Sequence, residues 1–409
     1  MKDIQKKGVI TDIKLKRICY IITSFPQISE TFIVEEAISL YDFKVDFSIF
    51  SQKEGDFSLV HPSAQRLLDQ KKITYIKKAS KIESLIALIK LISIFPLNTL
   101  KTLIKAINHP LRWRYFQALP YAQQLLKTKT DYIHAHFADD NLRFAAIISE
   151  WNHIPYGFTA HRYDILDDPL SVNEFITLSN NAKAIVTVSE TNKQIITEKY
   201  KLHPSKIYVA YNGICIEKFK PTPKNQKNSI IQVLNVGRLV PVKGQDILIQ
   251  AIAIVVEKDF NIKLNIIGEG PYRQYLERQI TDLNLSKHIE LLGSKSQEVV
   301  QEYMSNSDIF IMPSRSEGFA VALLEAMAME LPVIASNGSG FPEAITNYVN
   351  GLLVEAEKPD LLANAIIWMI KNPEKRIKMG LQGRKKVQNH FTRHKVTAGL
   401  LGFITNSIK

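Results

Sequence analysis

Two glutamates eight residues apart, Glu317 and Glu325, lie in the stretch SRSEGFAVALLEAMA and are the first residues whose spacing suggests chemistry. Ile309–Met312 reads as a strand that runs into this polar loop, and a helix is expected to open at about Phe319. The first backbone N–H groups of such a helix are free, and its dipole favours an anion there. As the acid and base of a hydrolase the pair is poorly spaced. Eight helical residues rise about 12 Å, against the roughly 5–9.5 Å that separates paired carboxylates in glycosidases. Two separate contacts along one long ligand fit better, Glu325 accepting the vicinal hydroxyls of a ribose and Glu317 those of a sugar. Glu325 also lies within a run of Leu, Ala and Met, where a charge without a partner is costly.

Upstream, the strand-like Val233–Gly237 leads into Arg238, with Lys243 and Gly244 following on the same loop. A glycine at a strand end admits a ligand close to the backbone, and two fixed cations suit a diphosphate. The spacing is not that of a P-loop, and a basic pair on a loop is also the mark of a plain solvated surface. Gly268 and Gly270, in IIGEGP, stand between a strand and a helix and suit a phosphate or sugar at the helix start. They equally suit a tight turn, and no third glycine completes a dinucleotide fingerprint, so a Rossmann dehydrogenase is not indicated. In the first half, GFTAHRYD places His161 at the carboxyl end of a strand. His134 and His136 alternate along DYIHAHF and so share one face of a strand, where they could bind a metal. No third ligand is evident from the sequence, and no two aspartates occur at i and i+2, the pattern that holds manganese in the other major transferase fold.

These residues need elements to hold them at strand ends. Apolar, β-branched runs at 17–23, 45–50, 132–135, 156–159, 184–188 and 207–210 alternate with helical stretches, the βαβ pattern of a parallel sheet. Ser29 is a plausible N-cap for the first helix. The proline-bearing, nearly apolar-free stretch Lys218–Ser229 reads as a linker. A second βαβ series follows, with strands expected at 230–236, 264–267, 289–292, 309–312, 333–335 and 351–354. The expected architecture is α/β, two doubly wound Rossmann-like domains facing across a cleft. The first spans residues 1–217, with a C-terminal helix at about 390–409 packing back on it, and the second spans 218–389. Ligands in such sheets sit beyond the carboxyl ends of the strands.

Composition supports an ordinary globular protein: 45% hydrophobic and 22% charged residues. Cys19 and Cys215 are far apart, form no CxxC pair, and fit a reducing compartment. The N-terminus lacks an apolar core and is not a secretory signal, and no charge-free stretch of about 18 residues suggests a membrane span. A cytoplasmic protein is expected. Ten of the 52 basic residues fall between Lys71 and Arg114 against the single acid Glu83, so the first half expects an anionic partner. Within this region, 85–116 mixes large apolar residues with lysines and arginines. It reads either as a surface resting on anionic lipid at the inner face of the cell membrane or as a helical pair packed on the core. No nucleic-acid-binding module accompanies the charge.

The Glu317…Glu325 pattern, together with Gly237-Arg238…Lys243-Gly244, resembles the donor site of glycosyltransferase family 4, with the GT-B fold. The resemblance implies that Arg238 and Lys243 hold the donor diphosphate and Glu325 its ribose. Glu317, with the backbone of Gly318, Phe319, Ala320 and Val321, would take the transferred sugar. Ala320 stands where the family often has glycine. His161, in T-x-H-x-x-D, would lie beside the anomeric carbon and polarise the sugar. The family implies a retaining, metal-independent hexosyl transfer from a nucleotide-sugar, which is a substrate and not a cofactor, with the leaving phosphate assisting the incoming hydroxyl. FPQISETF and HAHFADD resemble the subset that builds exopolysaccharide, capsule, lipopolysaccharide or colanic-acid-type units on a glycan or lipid-linked acceptor. A nucleotide-sugar epimerase, a phosphorylase or a non-catalytic sugar-binding subunit of the same fold are the alternatives.

Overall fold

The computed structural model describes residues 15–27, 30–57, 60–167, 169–221 and 230–409. The N-terminal stretch, the proposed cap Ser29 and most of the linker Lys218–Ser229 lie outside the described residues. The chain divides into two compact units. One runs to Val188 and takes in Asn192–Ala210 and Val396–Lys409; the other holds Ser189–Thr191 and Tyr211–Lys395.

The first unit is built on seven strands: β1 (Arg17–Phe25), β2 (Asp46–Glu54), β3 (Ile73–Tyr75), β4 (Tyr132–His136), β5 (Tyr156–Ala160), β6 (Ala184–Thr187) and β7 (Ile207–Val209). They lie in the order β3-β2-β1-β4-β5-β6-β7, and every pairing is parallel. β4, β5 and β6 are buried at every position, as strands covered by helices on both faces must be. The three-residue edge strand β3 was not expected from the sequence; ITY is too short to show a period. The C-terminal helix Arg393–Ser407 places Leu400, Leu401 and Ile404 in one apolar layer with Ile18, Tyr20 and Phe47. Tyr208 stacks on Phe403 at 4.9 Å.

The second unit has six strands: β8 (Ile231–Val236), β9 (Ile262–Ile267), β10 (Ile289–Gly293), β11 (Ile309–Met312), β12 (Val333–Ser336) and β13 (Leu352–Val354). Their order is β10-β9-β8-β11-β12-β13, again all parallel. This is the doubly wound order whose direction reverses between β8 and β11, where the crevice for a ligand opens at the carboxyl ends. In the first unit the reversal falls between β1 and β4. Both cysteines are free thiols; burial pushes the Cys19 thiol up to about 12.

Candidate functional site

In the second unit the reversal point joins the two loops singled out in the sequence. β8 and β11 are direct neighbours, pairing Val233 with Ile309 and Leu234 with Phe310. Gly237 therefore follows β8 beside Pro313 and Ser314, which follow β11. The short 3-10 turn Pro241–Lys243 ends at Gly244, whose φ of 68° favours glycine. A Cβ on Gly244 would stand 2.2 Å from the Pro313 carbonyl oxygen, so the two loops touch only because this residue has no side chain. Gly268 is explained the same way. It backs onto Gly237, with φ 150° and room of 1.9 Å to the Gly237 carbonyl oxygen for any added carbon. A Cβ on Gly237 would meet Gln245 Nε2 and Lys243 Cδ at 3.8 and 3.9 Å, ordinary contact distances, so no steric demand requires glycine there.

Lys243 reaches across this contact and pairs with Glu317. The lysine side chain is 20% exposed and the glutamate 12%, so the pair is largely out of water. Ser314, buried, donates its hydroxyl to the same carboxylate oxygen, Oε1, at 3.1 Å. Arg238 is exposed and makes no ion pair among the described residues. The helix Val321–Ala328 begins two residues later than expected, with Ala320 as its cap in extended conformation. Glu317 therefore sits in the loop, and the 12 Å rise argued for eight helical residues does not apply. Only Val321 to Glu325 climbs the helix, about 6 Å. Glu325 is half-buried on that helix. The Phe319 ring packs between Tyr211 and Phe391, at 4.7 and 5.1 Å, and its carbonyl accepts from the Asn212 amide at 2.7 Å. The backbone of Gly318–Val321 is thereby fixed before any ligand arrives.

Arg315 and Asp246 escaped the sequence reading. The guanidinium makes two parallel bonds to the Asp246 carboxylate, 2.9 and 2.7 Å, a third to Glu357 at 2.9 Å, and one to the Pro241 carbonyl. Bidentate geometry fixes orientation as well as charge. This arginine ties the β11 loop to the turn that carries Lys243 and to the first turn of the helix Gln245–Glu257. No local pattern announces such a pair, because its partners are 69 residues apart.

In the first unit, His161 follows β5 and caps the short helix Arg162–Leu166. Asp164 accepts from the His161 amide at 2.7 Å and from the Ala138 amide at 2.9 Å. The His161 ring in turn accepts from the Asp164 amide in a capping box. That bond places the ring's own proton on Nε2, which is buried with no partner. Burial, helped by neighbouring His136, pushes the imidazole down to about 3, so it is neutral at physiological pH. Burial lifts Asp164 the other way, to about 8, against the pull of its two amide bonds.

The rings of His136, Phe137 and Phe32 lie 5.9, 4.6 and 5.0 Å from that of His161. The pair His134 and His136 does share a face of β4, and the structure adds what the strand pattern lacked. Glu36, on the helix Thr31–Ser39, approaches His136 Nε2 at 3.4 Å and accepts from the Tyr20 hydroxyl at 2.9 Å. Burial alone would raise the Glu36 carboxyl, but His136, His134 and Tyr20 together hold it below its usual value. Glu36, His134 and His136 offer ligand atoms within 4.8 Å of one another. His134 donates to or accepts from Thr159 at 2.8 Å, and burial pushes it down to about 3.

Comparison with known proteins gives the family and the fold. The profile of the glycosyl transferases group 1 matches residues 216–386, and that of glycosyltransferase family 4 matches residues 97–218. An uncharacterized glycosyltransferase of Methanocaldococcus jannaschii is 35% identical over 273 residues, 66% of this chain and 74% of its own. The amylovoran biosynthesis glycosyltransferase AmsK of Erwinia amylovora is 33% identical over 195 residues, 46% of this chain and 48% of its own. Among solved structures, HepE of Anabaena in complex with UDP superposes with a TM-score of 0.75 at 19% identity, over 96% of this chain and 100% of that one. At that identity the likeness is one of fold, the GT-B class of two Rossmann-like domains.

Proposed function

Because the chain belongs to the glycosyltransferases of group 1 and family 4, we propose that it transfers a hexose, with retention and without a metal, from a nucleotide-sugar to a glycan or lipid-linked saccharide in surface polysaccharide synthesis. The acceptor would be met at the inner face of the cell membrane. The observation that carries the donor half of this reading is the Lys243–Glu317 pair at the reversal point between β8 and β11. Both contacts to Glu317 fall on Oε1, which leaves Oε2 for a sugar hydroxyl. Lys243 and the uncommitted Arg238 supply positive charge for the diphosphate. Negative charge grows on that group as the glycosidic bond breaks, so the two cations stabilise the transition state more than the ground state. The N-terminal amides of the helix Val321–Ala328 add a fixed dipole at the same place. Gly268 lines the loop behind Gly237, and Glu325 is assigned to the ribose.

His161 is assigned a supporting role at the sugar. A neutral ring with its proton on Nε2 donates one hydrogen bond to a sugar oxygen without adding charge. The amylovoran relative supports surface polysaccharide as the product class.

The test is a panel of UDP-, GDP- and ADP-sugars in thermal shift, followed by transfer assays with the donor that binds. A true donor raises the melting temperature by mass action. Arg238→Ala and Lys243→Ala are expected to stay folded and to lose turnover by about two orders of magnitude or more, and EDTA is expected to leave the rate unchanged. A flat panel, or near-normal rates in both variants, defeats the reading.

A further inference from the structure

The stretch for which the sequence left two readings open resolves into three helices. The first two turn large apolar residues outward, while the third buries or half-buries its own except Trp113. On the helix Lys81–Ile94, Ile82, Leu85, Ile86 and Ile89 are 46–72% exposed, while Ala87 and Leu91 face the core. On the helix Pro96–Asn108, Leu97, Leu100, Ile104 and Ile107 are 53–75% exposed, and the buried seats go to Thr99, Thr102 and Ala106. On the helix Pro96–Asn108 leucine and isoleucine thus occupy the outward i, i+3, i+7 positions and threonine and alanine the buried ones, which inverts the pattern of a surface helix. On Lys81–Ile94 the outward stripe stands beside a smaller inward one of Ala87 and Leu91. The core-packing alternative does not hold for these faces. Trp113 stands exposed at the start of the helix Arg112–Lys127, with the Arg114 guanidinium 4.6 Å from its ring. Between this helix and the first, a groove of about 650 Å³ is lined by Leu85, Leu88, Trp113 and Phe116, with Lys78 and Lys81 beside them.

The charge on this face is of one sign. Its single acid, Glu83, is spent in a capping box with Ser80. Lys72, Lys105 and Arg114 have acidic partners in Asp46, Glu150 and Asp140. Lys77, Lys78, Lys81, Lys90, Lys101 and Arg112 are exposed and make no ion pair among the described residues. With 14, 13 and 16 residues, the three helices are shorter than the roughly 20 residues a span requires. Among the described residues no helix is long and apolar enough to cross a membrane.

We propose that this face lies in the surface of an anionic phospholipid leaflet. The Leu and Ile stripes enter the acyl boundary, the free lysines meet the headgroups, and the groove beside Trp113 takes one lipid chain. Charge selects this occupant: a second copy would bring the same uncompensated lysines against one another, whereas an anionic leaflet neutralises them. The inference specifies the membrane contact of the proposed function and rests on it only for where the acceptor resides. Vesicle binding needs neither donor nor turnover, so its failure would leave glycosyl transfer standing.

The experiment is co-sedimentation of the full chain with phosphatidylcholine vesicles, with and without phosphatidylglycerol, while Trp113 emission is followed with brominated lipid. Trp151 is buried, and a Trp113→Phe control assigns the signal. Expected are binding to the anionic vesicles that weakens with salt, and quenching that the Trp113→Phe control lacks. Lys78→Glu with Lys101→Glu should weaken binding by about fivefold or more per site. Ile86→Ser with Ile89→Ser and Leu100→Ser should weaken it by about tenfold or more, with an unchanged melting temperature because the positions are exposed. Equal sedimentation with both vesicles, an unquenched Trp113, or a dimer in solution that the serine variants dissolve would overturn the proposal.

Discussion

Glu317 and Lys243 are 74 residues apart, yet each holds the other in place. A carboxylate that is 12% exposed would be costly without its lysine, and the lysine is aimed by the carboxylate before any donor binds. His161 is governed by the same low-dielectric logic. The folded protein keeps His161 and His134 neutral until the pH nears about 3, whereas their ordinary value is 6.5. Their contribution to stability is therefore complete above 6.5 and is lost as the pH falls towards 3. Asp164 runs the opposite way. Its folded carboxyl keeps its proton up to about 8 against an ordinary 3.8, so its contribution is complete below 3.8 and is lost as the pH rises through 8. Urea midpoints measured across this range should show His161→Gln reducing the loss of stability as pH falls from 6.5 towards 3, and Asp164→Asn reducing the loss as pH rises from 3.8 to about 8. Unchanged slopes in both variants would show that these groups titrate normally.

At the scale of elements, the loops proposed to hold the donor meet by a contact of backbone on backbone. Gly244→Ala would put a carbon 2.2 Å from the Pro313 carbonyl oxygen and hold a non-glycine residue at φ 68°. The loops must then part, at a cost of about 1–3 kcal/mol. The variant is expected to melt several degrees lower and to bind the donor nucleotide at least about tenfold more weakly. Intact donor affinity would mean that Lys243 and Glu317 need not be juxtaposed. The same scale shows why strand periodicity worked and helix periodicity did not. Among the described residues, twelve of the thirteen strands are short apolar runs between turn residues, legible because a doubly covered sheet demands nothing else. The apolar stripes of Lys81–Ile94 and Pro96–Asn108 were equally legible, but periodicity tells that a face is apolar and not which way it points.

For the whole molecule, the loops proposed to hold the donor and the face proposed to meet the membrane belong to different units. Amide exchange with a nucleotide-sugar bound should slow in 237–244 and 318–325, the segments assigned above to the donor. The helix Pro96–Asn108 should exchange as before. Protection spread evenly over both units would speak against a donor held by the second unit's loops.

The order of elements, the two doubly wound sheets and the glutamate, arginine, lysine and histidine at their strand ends were determined by the sequence alone, because each rests on local periodicity and on short spacings. What only the tertiary structure decided are relations between residues far apart along the chain. Lys243 is engaged by Glu317, Arg315 is clamped on Asp246, Glu36 joins His134 and His136, and a helical face rich in isoleucine is turned outward. A side chain's spacing along its own element records its neighbours in sequence; its charge state and its solvent are set by whatever the fold packs against it.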